Sequence, residues 1–149
     1  MFILSLFGFL SIVFMTFSLG GGLPLFFNFP SIIIVFIPAL LAGFISVGRD
    51  QFVKSLSLLV DSHKLSKCKV PEKSIRFFDV VGNMAMLMGW FGVISGAASM
   101  AASIEPEIFH QVIGPATSVC LLTLLYAVIV KGICYLAKQR ILSCSLDAK

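Results

Sequence analysis

The sequence predicts an all-α membrane protein, with four transmembrane helices arranged as two hairpins and both termini in the cytoplasm. Three observations carry that reading. Of 149 residues, 58% are hydrophobic and 12% charged, whereas about a quarter of a soluble domain is charged. The charges are missing in blocks, with no Asp, Glu, Lys or Arg from Met1 to Gly48 or from Val80 to Ile104. All 11 Lys and Arg fall into two other stretches. A hydrocarbon core of ~30 Å takes about 20 helical residues to cross, and the mean hydropathy is +1.04.

The first span is expected at about Phe2 to Leu19 and the second at about Ser31 to Val47. The Gly- and Pro-rich "GGGLPLFFNFP" between them forbids a continuous helix, so Gly20, Gly21 and Pro30 are read as turn residues. A third span is expected at about Val80 to Ile104 and a fourth at about Ile113 to Leu136. "EPEIFHQVIGP" forms the turn between these two, with Gly114 and Pro115 as its turn residues. Residues 1–47 are then a first hairpin and 48–79 a short cytoplasmic segment. Residues 80–149 are a second hairpin with a cytoplasmic tail.

Direction follows from the cations. Arg49, Lys54, Lys64, Lys67, Lys69, Lys73 and Arg76 lie between the hairpins, and Lys131, Lys138, Arg140 and Lys149 lie at the C-terminal end. The two short turns have none, and the second carries Glu105 and Glu107. The positive-inside rule puts the cations in the cytoplasm. A cleaved signal peptide at Met1–Gly20 is disfavoured, because it has no positive n-region. In the cytoplasmic segment, "DQFVKSLSLLVDSHKL" has helical spacing and is expected to continue the second span. "PEKSIRFFD" leads into the third, with Pro71 at a helix start.

Several functions are disfavoured. Cys68, Cys120, Cys134 and Cys144 are scattered, with no CxxC or Cys/His spacing, and His63 and His110 are isolated. No metal site or organic cofactor is expected. No paired carboxylates or nucleophile–base pair points to an enzyme, and in a membrane chain the net charge of +4 reports topology rather than nucleic-acid binding.

The third and fourth spans carry a pattern. Gly82, Ala85, Gly89, Gly92, Gly96, Ser99 and Ser103 recur at steps of three and four, one continuous small face. Such faces let helix backbones approach closely in lipid, and Gly82 and Ala85 are assigned to packing. The fourth span has a shorter stripe of Ala116, Cys120, Thr123 and Ala127, continued by Lys131. Spacing alone favours packing for Thr123, its hydroxyl bonding back to the carbonyl four residues earlier. The alternative is contact with something that moves through the membrane.

At these residues the chain resembles the MotA/TolQ/ExbB proton channel family. "IGPATSVCLLTLLYAVIVKGI" is similar to the last span of MotA-type stator subunits through Ile113, Gly114, Pro115, Leu121, Leu122, Thr123, Leu125 and Tyr126. "GGGLPLFFNFPSIIIV" resembles the first periplasmic turn through Gly20, Gly21, Leu23, Phe26, Pro30, Ser31, Ile34 and Val35, with Asn28 where an Asp is usual. "MGWFGVISGAASM" resembles the Gly-rich third span through Gly89, Gly92, Gly96 and Met100. The family's long cytoplasmic region, which bears the rotor-contact surface, is largely missing. There is no Pro near Met86, and Leu124 stands where many members have a Thr.

The resemblance implies an ion-driven motor unit in a bacterial inner membrane. Five copies would surround two copies of a MotB/TolR/ExbD-like single-span partner, whose membrane Asp takes and releases the ion. It implies that Thr123, Ala116, Cys120, Ala127, Gly89, Gly92, Gly96 and Ser99 face that partner or the ion pathway. This tips Thr123 from packing towards the pathway. Val93, where sodium-using members tend to carry Thr, has no oxygen to coordinate sodium, which favours protons. Two other readings stand beside it: a non-conducting scaffold, and a small pore acting without a partner.

Overall fold

A computed structural model describes residues 2–19, 27–60, 72–103 and 109–146. Every element among them is an α-helix: α1 (Phe2–Leu19), α2 (Phe29–Val47), α3 (Arg49–Val60), α4 (Glu72–Ser103) and α5 (Phe109–Leu146). Three stretches are long and apolar enough to cross a membrane: Phe29–Val47, Glu72–Ala102 and Ile113–Ser143. A shorter apolar stretch, Leu4–Met15, lies in α1. The chain is therefore a multi-pass helical membrane protein.

α2 starts two residues earlier than expected. Asn28 stands at its N-cap in an extended conformation, and Pro30 lies in its first turn. The missing Pro30 N–H is one the helix start would leave unpaired anyway. Pro30 is thus a helix-start residue and not part of the turn. Gly20 and Gly21 lie outside the described residues.

α3 does not continue α2. Gly48 breaks the helix with φ of +76°, a left-handed conformation that favours glycine. Its N–H donates to the Phe44 carbonyl at 3.0 Å, and the Phe52 N–H donates to the Gly48 carbonyl at 3.0 Å. Around this joint Phe44, Phe52, Phe77 and Phe78 form a chain of edge-on rings, with successive centroids 5.7, 5.4 and 5.1 Å apart. Ser55 Oγ donates to Ser74 Oγ at 3.0 Å, and both are fully buried, joining α3 to α4.

Gly114 and Pro115 are also not turn residues. α5 begins at Phe109, so Pro115 sits inside the helix. Gly114 has no Cβ to meet the proline ring, and Ser118 Oγ donates to the Gly114 carbonyl at 3.0 Å. Membrane helices tolerate an internal Pro when nearby hydroxyls take up local backbone groups.

α2 buries Ser31, Val35, Ala39 and Gly43, a single face at steps of four. Gly43 lets it approach α4: a Cβ there would lie 2.5 Å from Val81 Cγ2 and 2.7 Å from Phe77 Cε2. The core is Val35 and Ala39 with Phe77, Phe78, Val81 and Ala85 of α4, and Leu122, Tyr126, Ala127, Val130, Cys134, Ala137 and Ile141 of α5. α1 lies outside it. Leu4, Phe7, Ile12 and Met15 are largely exposed, and Phe9 seats α1 on α5 at Gly132, where a Cβ would lie 2.6 Å from Phe9 Cζ.

Candidate functional site

The two small stripes meet each other. A Cβ at Gly92 would lie 2.6 Å from Thr123 Cγ2 and 3.3 Å from Thr123 Cβ. Gly89 faces the Ala127 methyl, and Gly96 faces Cys120 Sγ. A Cβ at Gly82 would lie 3.0 Å from Lys131 Cδ and 3.2 Å from Cys134 Cβ. Each step on α4 is matched by a step on α5, so the helices share one continuous seam.

Within one protomer the α5 stripe is covered by its neighbours. Cys120, Thr123 and Ala127 are buried at 8%, 4% and 0% exposure. In this protomer they pack against α4, where Gly89, Gly92 and Gly96 leave room for them, and Thr123 also meets Ser31 of α2. Gly89 is buried in the same seam, and Gly92 and Gly96 are half-buried. Ala85 is fully buried in the core. Ala116 is likewise half-buried, and Ser99 is exposed. The Ser99 hydroxyl donates to the Ser95 carbonyl at 2.9 Å.

At the centre is a buried hydroxyl pair. Thr123 Oγ1 lies 2.9 Å from Ser31 Oγ and 3.0 Å from the Val119 carbonyl oxygen. A hydroxyl has one proton to donate. A carbonyl can only accept, so Thr123 donates to Val119 and Ser31 donates to Thr123 when both contacts are hydrogen bonds. Three residues beyond Ser31 and Thr123, in opposite directions, the Asn28 N–H donates to Tyr126 Oη at 3.2 Å. This satisfies a donor at the start of α2.

Sequence reasoning foresaw the back-bond to Val119 but not the pairing with Ser31. The signal was a single buried hydroxyl on each of two apolar spans, and periodicity within one helix cannot say which faces will meet. Among the described residues, no group of three or more His, Cys, Asp or Glu could hold a metal ion. Cys120 and Cys134 are buried free thiols.

The fold and the seam define a class: a multi-pass helical membrane protein whose last two helices lock through small residues around a buried hydroxyl pair. Compared with known families and curated proteins, the chain matches no family model and no curated sequence.

Proposed function

We propose that the chain is the ion-conducting subunit of a motor unit driven by proton-motive force, of the MotA/TolQ/ExbB type. α1 is its fourth span, both termini are cytoplasmic, and it sits in a bacterial inner membrane. Five copies surround a dimeric single-span partner of MotB/TolR/ExbD type that supplies the proton-binding Asp. The proton is the coupling ion.

One observation carries this reading. Three blocks that resemble the family, far apart in sequence, converge at one place. Ser31 comes from the first block, Gly92 and Gly96 from the second, and Thr123 and Tyr126 from the third. Ser31 meets Thr123, Gly92 meets Thr123, and the start of α2 meets Tyr126. Residues matched for separate reasons thus form a single contact set, which supports the resemblance as more than composition.

The test is co-purification with a single-span protein carrying a membrane Asp, followed by proton flux in vesicles. Flux is expected from the pair and not from either chain alone, with Thr123→Val lowering it at least tenfold. Unchanged flux in Thr123→Val would remove the hydroxyl from the pathway.

A second reading is a non-conducting scaffold. It is favoured by the burial of Thr123 and the use of its only proton inside the protomer. It expects Gly92→Leu to abolish assembly with the partner, and no flux with or without Thr123.

A further inference from the structure

α4 and α5 carry a second polar constellation on the side away from α2. Lys138 Nζ donates to both Asp79 carboxylate oxygens, at 2.9 and 2.7 Å. One to two turns away, Lys131 Nζ donates to Asn83 Oδ1. Asp79 and Asn83 are four apart on α4, and Lys131 and Lys138 seven apart on α5, so the two pairs form a ladder along the seam. Asn83 is exposed, and the Lys138 and Asp79 side chains are 28% and 43% exposed.

The depth of the ladder follows from α2. Ser31 lies level with Gly92 through Thr123, and Gly43 lies level with Phe77 and Val81. This antiparallel register puts Asp79 beside Gly43 and Asn83 beside Ala39 and Leu40. α2 stays apolar down to Val47 and meets its first charge at Arg49. At 1.5 Å per residue, Asp79 sits about 9 Å and Asn83 about 15 Å inside that charged end. On α2 at the same level, Leu40, Leu41, Phe44 and Ile45 are 40–81% exposed and suited to lipid.

The two faces make opposite demands. Placing the hydrocarbon edge at Lys131 would leave the lower half of α2 in water. Placing it at Arg49 buries an ion pair and a second lysine within the membrane. Ionisable groups at that depth face protein or a water-filled cavity, not lipid. We infer that the Asp79–Asn83–Lys131–Lys138 face borders water inside the membrane. It lines an aqueous vestibule, open to the lysine-rich side, at the end of the α4–α5 seam. The occupant is solvent and its small ions. The inference needs only the membrane reading and the register, so it stands whether or not the chain conducts with a partner.

Thiol accessibility in native membranes tests it, using the full chain with Cys68 and Cys144 changed to Ser. Asn83→Cys on the ladder is compared with Leu40→Cys at the same depth on α2. A charged, membrane-impermeant thiol reagent is applied from the lysine-rich side. Asn83→Cys is expected to label at least tenfold faster than Leu40→Cys, and both to label fully once SDS dissolves the membrane. Tyr135→Cys, four residues beyond Lys131 and exposed, is expected to label like Asn83→Cys and serves if that variant does not insert. Equal, slow labelling of the ladder and α2 positions would overturn the vestibule and put this face against lipid or another protein surface.

Discussion

The closeness of the α4–α5 seam can be measured by adding single methyl groups. In Gly92→Ala the new Cβ would lie 2.6 Å from Thr123 Cγ2. Carbon atoms prefer about 3.5–4.0 Å, so the helices must part by roughly 1 Å or Thr123 must turn. Turning Thr123 breaks its contacts with Ser31 and Val119. Overpacking of this kind costs about 1–3 kcal/mol, and alanine returns about 1 kcal/mol in helix propensity. The expected net effect is a loss of about 1 kcal/mol. Gly89→Ala should cost more, because its neighbour is the Ala127 methyl, which has no rotamer to change. Gly96→Ala should cost less, because Cys120 Sγ can rotate away. Gly8→Ala has nothing within 4 Å of its Cβ and keeps only the propensity gain. The assay is loss of helical circular dichroism as SDS is titrated into dodecyl maltoside micelles. Seam variants that all shift the midpoint upward, as Gly8→Ala does, would refute a close-packed seam within the protomer.

Other outcomes follow from the same contacts. A Ser31→Ala, Thr123→Val double-mutant cycle in that titration should give a coupling of about 0.6 kcal/mol, the usual worth of an interhelical hydrogen bond in a membrane protein; zero coupling would dissolve the pair. Gly96→Cys should form a disulfide with Cys120 on mild oxidation, since its Cβ would lie 3.7 Å from Cys120 Cβ, within the usual range; a mass shift reversed by reductant reports it. Gly132→Leu should push Phe9, and α1 with it, off its seat on α5 while α2, α4 and α5 stay packed, seen as faster proteolysis near the N-terminus at an unchanged SDS midpoint.

How legible was this in the sequence? Three of the four expected spans were, because a charge-free run of helix length has few other readings. The small face of α4 was too, because one helix's periodicity is a local property. What the face meets is not local. Gly92 lies opposite Thr123 because α4 and α5 are antiparallel with one register, and register depends on both helices at once. Gly114 and Pro115 misled for a different reason. Proline reads as a breaker in water, but in a membrane helix local hydroxyls and a preceding glycine soften its effect, as Ser118 and Gly114 do here. Gly48 misled in the opposite sense. A lone glycine between two helical patterns looks neutral until its positive φ is seen.

The proton count at Thr123 bears on how it would serve an ion pathway. With its proton on the Val119 carbonyl and one lone pair taken by Ser31, the hydroxyl keeps acceptor capacity but no free donor. It is therefore suited to accept from a protonated carboxylic acid and unsuited to donate to a carboxylate, unless the Val119 bond is given up. At 4% exposure it can meet such a group only if α4 moves away at Gly92 or α2 moves away at Ser31. The two functional readings then differ in a mechanical property. A conducting subunit must uncover Thr123 in its cycle, at Gly92 or at Ser31, and a scaffold need not. The Gly96→Cys disulfide ties α4 to α5 about one turn of α4 from that point and leaves Thr123 in place. Proton flux that stops on oxidation and returns with reductant would favour the conducting subunit, and flux indifferent to the lock would exclude a pathway through this seam.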